Sequence, residues 1–167
     1  DDIGAVGSLK SNESVMLRPE IAGRIAQLHF REGTPVAGGA ALVSLDASMQ
    51  RAELQQAEAS LALAQANFRR TEDLFQKRFV AERARDEAAA NLKVLEAGVA
   101  LAQARYRKTQ IRAPFAGIVG IRNVSVGDYV KEGQDLINLE DIGSLKVDFR
   151  LPESHLSRLQ KGQGVEV

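Results

Sequence analysis

Two histidines, His29 and His155, are the only imidazoles in this 167-residue chain, and cysteine is absent. Imidazole is the side chain best suited to general acid–base work near neutral pH and to metal ligation. Both roles need convergent partners, and these histidines lie in different segments with no second His or Cys near either. Met16 and Met49 are equally far apart and form no thioether cluster for copper. No Gly-x-Gly-x-x-Gly opens a helix after a strand, and no Walker loop is present, so nucleotide binding has no basis. Nor do Ser, His and Asp, or two carboxylates, fall into an arguable catalytic arrangement. The expected sets of catalytic, cofactor-binding and metal-ligating residues are therefore empty, and the chain is expected not to be an enzyme.

What remains is recognition chemistry. Arg70, Leu74, Lys77, Arg78 and Phe79 gather within ten residues. Guanidinium and ammonium groups around an apolar side chain can meet carbonyls or carboxylates of a partner. The bland alternative is a solvated helix end with Leu74 half-buried. Which applies depends on what holds the cluster.

The holder is the stretch from Asp46 to Lys108, rich in Ala and free of Pro, with Gly98 its sole glycine. Small or apolar positions fall at Ala47, Leu54, Ala57, Leu61, Ala64, Phe68 and Phe75, in steps of three and four once Gln50 and Thr71 are included. The alternation resumes at Ala81, Arg85, Ala88, Leu92, Leu95, Val99, Ala102 and Tyr106. Each run is a coiled-coil seam of about four heptads. Gln76-Lys-Arg-Phe-Val80 between them has the length of a tight helix reversal. Folding the seams together pairs residues whose numbers sum to about 160, so Phe68 should face Leu92, Leu61 face Val99 and Leu54 face Tyr106. The cation cluster then caps an antiparallel helical hairpin.

The hairpin interrupts a repeat. Adding 94 to Ala22, Gly23, Gly33, Val36, Gly39, Leu42 and Leu45 lands on Ala116, Gly117, Gly127, Val130, Gly133, Leu136 and Leu139, with identical residues each time. Ile25 and Val43 map onto Val119 and Ile137. Such a duplication is strong organisational evidence. The glycines Gly23, Gly33, Gly39, Gly117, Gly127 and Gly133 are read as positive-φ turns between short strands. Neither copy can bury a core alone, so the two should close into a small β-sandwich with quasi-two-fold symmetry. The hairpin's feet would then stand side by side.

At the ends, residues 3 to 18 read as two strands joined near Ser11-Asn12-Glu13. Asp141 to Ser144 reads as a linker and candidate hinge. Leu145 to Leu151 alternates as a half-exposed strand, Pro152 to Leu159 reads as a short helix, and Gly162 to Val167 as a further strand. With 22 basic and 22 acidic residues, charge offers no case for nucleic acid as a partner. No apolar run approaches the ~20 residues that span a bilayer. The chain reads as a fragment, with any export signal or membrane anchor expected upstream of Asp1.

A duplicated Gly-x-x-Val-x-x-Gly half-motif interrupted by a helical hairpin resembles the periplasmic adaptor subunits, or membrane fusion proteins, of tripartite efflux pumps and haemolysin-type secretion systems. Ile111-Arg-Ala-Pro-Phe-Ala-Gly-Ile-Val119 is similar to the start of that family's second half-motif, and Leu151-Pro-Glu with Leu159-x-x-Gly162-Gln163-x-Val165 to the opening of its β-barrel. The resemblance covers the chain from about Ala5 onward. It implies an α+β fold: a lipoyl-like β-sandwich (14–45 and 110–141), an α-helical coiled-coil hairpin (46–109), and part of a β-barrel domain (1–13 and 142–167).

It also implies partners. These are an inner-membrane transporter, first of the resistance-nodulation-division (RND) type and second of the ABC type, a TolC-like outer-membrane channel, and further copies forming a trimeric or hexameric ring in the periplasm. Channel-binding adaptors carry Arg-x3-Leu-x6-Ser at the tip. Arg70 and Leu74 match, while Ala81 occupies the serine position and cannot cap the second helix as a hydroxyl would. The half-motif also resembles lipoyl and biotinyl carrier domains, a less favoured reading because their modified-lysine turn is replaced here by the hairpin, leaving Lys77 at a helical tip.

Overall fold

The computed structural model describes residues 5–152 and 160–164. Strands β1 (Gly7–Leu17), β2 (Gly23–Leu28), β3 (Pro35–Val36) and β4 (Ala41–Leu45) precede helices α1 (Ser48–Gln76) and α2 (Glu82–Arg107). Strands β5 (Gln110–Arg112), β6 (Gly117–Arg122), β7 (Tyr129–Val130) and β8 (Ile137–Phe149) follow. The shift of 94 carries β2 onto β6 and β3 onto β7 residue for residue.

Each half needs the other. One four-stranded sheet has the order β1-β8-β6-β3 and the other β5-β4-β2-β7. The second order is the first with every strand replaced by its repeat partner. The exchange buries paired side chains: Ile25 and Val119, Leu42 and Leu136, Val43 and Ile137, and Leu45 and Leu139 all lie in one core. Val130 is fully buried, whereas its twin Val36 is only partly so.

Two of the six repeat glycines are not turns of the expected kind. Gly33 and Gly127 have φ of 73° and 95°, and Gly39 and Gly133 have 82° and 74°. Gly23 and Gly117 instead begin β2 and β6 outside the left-handed region. At Gly117 the requirement is closeness, because a Cβ there would lie 2.5 Å from the Glu140 carbonyl oxygen. At Gly23 the nearest atom to such a Cβ is Leu45 Cδ1 at 3.4 Å.

The N-terminal reading also changes. β1 is one strand, not two, because β8 pairs with it from Gly7↔Phe149 to Leu17↔Ile137. The polar triplet at Ser11–Glu13 marks a register shift: Ser11 faces Leu145 but Glu13 faces Asp141, leaving the extra residues on β8. Asn12 Nδ2 donates to Asp141 Oδ2 at 3.0 Å and the Gly143 N–H donates to Asp141 Oδ1 at 2.9 Å. The Asp141–Ser144 stretch is thus a bulge inside a paired ribbon, not a linker. The expected helix at 152–159 falls almost wholly outside the described residues; of the expected strand at 162–167, residues 162–164 are described and are not strand.

The helices stand on adjacent feet. The Leu45 N–H donates to the Thr109 carbonyl at 2.8 Å, joining the strand before α1 to the residue after α2. Thr109 is buried and its Oγ1 donates to the Tyr106 carbonyl at 2.7 Å, closing the end of α2. At the start of α1, Asp46 Oδ1 accepts the Ser48 N–H at 3.0 Å. That bond, with help from the Ser48 side chain, holds the Asp46 carboxyl below its ordinary range.

Candidate docking site at the hairpin tip

The coiled-coil register carries the tip. At 29 and 26 residues, the helices extend roughly 40 Å at ~1.5 Å per residue. From Gln50 to Phe75 every seam position of α1 is at least partly buried, as is every one of α2 from Arg85 to Tyr106. Arg105 Nη1 reaches Glu53 Oε2 at 3.7 Å near the feet, and Arg85 Nη1 reaches Glu72 Oε2 at 3.8 Å near the tip. Those pairs sum to 158 and 157, within a turn of the expected register.

Arg85 closes the last layer. Its guanidinium lies 5.0 Å from the centre of the Phe75 ring, a cation–π distance. Beyond that layer α1 ends in a Schellman arrangement. The Arg78 N–H donates to the Phe75 carbonyl at 2.9 Å and the Phe79 N–H to the Leu74 carbonyl at 2.8 Å. The residue between the cap and Phe79 must be left-handed, and Arg78 is, with φ of 62°. An L-side chain there costs on the order of 1–2 kcal/mol. The reversal is accordingly tight, and Ala81, the extended residue before α2, gives that helix no side-chain cap.

The predicted tip residues differ in availability. Leu74 is half-buried, as the bland alternative had it. The apolar side chain that reaches solvent is Phe79, 73% exposed. Arg70 is exposed, with Nη1 3.5 Å from Asn67 Oδ1. Lys77 is engaged by Asp73, Nζ to Oδ2 at 2.8 Å. Ala81 is exposed and offers only its backbone. Lys77, Arg78, Phe79 and Ala81 therefore share the reversal, while Arg70 and Leu74 lie one to two turns down α1. Sequence reasoning placed Arg85 in the seam without assigning it Phe75. Their numbers sum to 160, and that could have shown the clamp. Nothing in the sequence marked Arg78 as left-handed, since glycine is the usual signal.

His29 Nε2 sits 2.8 Å from Ser44 Oγ on the exposed side of the sandwich, far in sequence from the tip. No group of three or more His, Cys, Asp or Glu side chains with metal-binding geometry occurs among the described residues. No helix among them is long and apolar enough to cross a membrane.

Residues 13–140 match the family model described as RND MFP, barrel-sandwich hybrid domain. An uncharacterized protein of Haemophilus influenzae is 34% identical over 163 residues, 98% of this chain and 43% of its own length. Multidrug resistance protein MdtA of Erwinia amylovora is 30% identical over 177 residues, 96% of this chain and 44% of its own. The chain thus spans under half the length of these curated relatives. Among solved structures, a MacA–MexA chimera containing the Pseudomonas aeruginosa MexA α-hairpin domain superimposes with a TM-score of 0.84 at 26% identity, over 93% of this chain and 57% of that one. The membrane fusion protein Spr0693 of Streptococcus pneumoniae shares the fold, with a TM-score of 0.74 at 19% identity over 94% of this chain and 71% of that one.

Proposed function

The chain belongs to the RND membrane fusion protein family, matching its barrel-sandwich hybrid domain, and from that premise we propose that it serves as a periplasmic adaptor. In this reading it links an inner-membrane RND transporter to a TolC-like outer-membrane channel for efflux of drugs or other small compounds. Residues 14–45 and 110–141 form the sandwich that seats near the transporter, and residues 46–109 form the hairpin that reaches the channel. In this reading the flanks 1–13 and 142–167 belong to a β-barrel domain, and their described strand residues continue the β1–β8 ribbon out of the sandwich. Copies assemble side by side in a ring that seals the passage. This is scaffold work, in line with a family of adaptors rather than enzymes. The RND family model favours that transporter class over the ABC type.

The observation that carries the docking role is the exposed Phe79 beside Arg78 at the apex of a long, register-locked hairpin. A photo-crosslinking residue at position 79 in the intact adaptor tests it in cells. The expected product is a covalent adduct with an outer-membrane channel. Adducts with the transporter alone, or none, would overturn the tip-docking role.

A further inference from the structure

Arg78 is the single non-glycine among the described residues with φ in the left-handed region. The cap geometry asks for glycine there, because the Phe79 and Arg78 N–H groups must both turn back onto α1. The site nevertheless carries the most demanding of cationic side chains. Between residues 76 and 86 the other cations are already engaged. Lys77 pairs with Asp73 at 2.8 Å, Arg83 with Glu87 at 2.8 Å, and Arg85 with Glu72 at 3.8 Å and Asp86 at 3.3 Å. Arg78 forms no ion pair or side-chain hydrogen bond within the described residues, and it is exposed. The neighbouring free carboxylate, Glu82, stands in the first turn of α2, where the helix's own N-terminal amides favour its charge.

Resting on the docking role above, we propose that Arg78 is the specificity-determining cation of the tip. Its guanidinium recognises a carboxylate on the end of the channel, beside an apolar recess that receives the Phe79 ring. Two features of the structure carry this. A bulky side chain occupies a disfavoured backbone position that glycine would relieve, and such strain points to a constraint set by function. And the charge it displays is uncompensated next to an exposed aromatic, to which a carboxylate beside an apolar surface is the charge-complementary match. Partner choice would follow from placing that carboxylate: channels lacking it leave a desolvated guanidinium unpaired.

The test uses the intact adaptor and a purified TolC-like channel from the same organism in detergent micelles, with affinity measured at several salt concentrations. Arg78→Gly and Arg78→Asn both accept the left-handed backbone and remove the charge. Each is expected to weaken binding about tenfold and to flatten its salt dependence, with Arg78→Lys intermediate. Melting of the helices followed in parallel should be no lower for Arg78→Gly than for the unsubstituted chain, which separates recognition from folding. Binding by Arg78→Gly or Arg78→Asn within about twofold of the unsubstituted chain would overturn the role of Arg78 alone. Failure of the unsubstituted adaptor to bind the channel at all would overturn the docking role and this proposal with it.

Discussion

The Gly33 N–H donates to the Val119 carbonyl at 2.8 Å, and 94 residues later the Gly127 N–H donates to the Ile25 carbonyl at the same distance. The reciprocity continues. The Gly39 N–H donates to Ala113 and the Gly133 N–H to Pro19, the His29 N–H to Leu42 and the Asn123 N–H to Leu136. Each of these bonds is matched by its image in the other half, so the sandwich is a clasp of two equivalent arms. A helical hairpin inserted between the arms must have both feet at one point. The Leu45 to Thr109 bond fixes that point.

The symmetry fails usefully at Gly23 and Gly117. A Cβ at Gly117 would lie 2.5 Å from a backbone carbonyl oxygen that cannot move without breaking the β6–β8 ladder. At Gly23 the obstacle is a flexible leucine methyl at 3.4 Å. Gly117→Ala is therefore expected to destabilise the chain by about 2–4 kcal/mol, and Gly23→Ala by under about 1 kcal/mol. Urea denaturation followed by circular dichroism would measure both. Equal losses would mean that the close carbonyl at Gly117 is not what demands glycine there.

Arg78 makes a prediction about stability separate from recognition. Relief of the left-handed penalty, partly offset by the extra freedom glycine gives the unfolded chain, leaves Arg78→Gly more stable by about 0.5–1 kcal/mol. Arg78→Val, β-branched at the same backbone position, should lose about 1 kcal/mol or more. The difference between the two midpoints checks it.

Asp46 predicts a pH dependence. Its folded-state carboxyl titrates below the ordinary aspartate range, chiefly through the Ser48 N–H bond. A depressed folded value means that the ionised form stabilises α1 above the unfolded value, and that the contribution is lost as pH falls through the folded one. Asp46→Ala should thus melt lower than the unsubstituted chain at pH 6, with the gap closing below about pH 3.8. Asp141 and Asp148 are lowered too, by hydrogen bonds from Asn12 and Lys10 respectively. They act on the β1–β8 ribbon, so helix-specific probes distinguish their effect.

How much of this could be read beforehand follows from the kind of physics at each position. Leu42, Leu136, Val43 and Ile137 were legible because duplication and burial act on residue type and spacing together. The seam was legible for the same reason, down to polar Gln50, Thr71 and Arg85. Ser11–Glu13 was misread because a polar triplet in one strand looks like a turn until its partner strand is known to run alongside. Gly23 and Gly117 were misread because the same residue serves both left-handed turns and close backbone approach. At the tip, Phe79 rather than Leu74 is the exposed apolar group, a distinction set by where the helix stops. The left-handed Arg78 was invisible because it contradicts local propensity, the usual mark of a functional position.

Arg85 decides whether the tip is rigid. Its guanidinium spans Phe75 on one face and Glu72 at the edge, and α2 begins without a side-chain cap three residues before it. Ala-rich layers bury little area at ~25 cal/mol per Å², so the layers behind Arg85 hold the helices together only modestly. Arg85→Ala removes the cation–π contact and a partly exposed ion pair, together worth about 1–2 kcal/mol. That loss falls on the end of the hairpin, not on the sandwich, because among the described residues no ion pair or side-chain hydrogen bond joins the two helices between residue 85 and the reversal. Amide hydrogen exchange should show residues 70–85 already less protected than β4 and β6 in the unsubstituted chain. In Arg85→Ala their exchange should quicken about tenfold while the sandwich is unchanged. A uniform acceleration throughout the chain would mean that tip and sandwich unfold as one unit, and equal protection at the outset would mean that the tip is not soft.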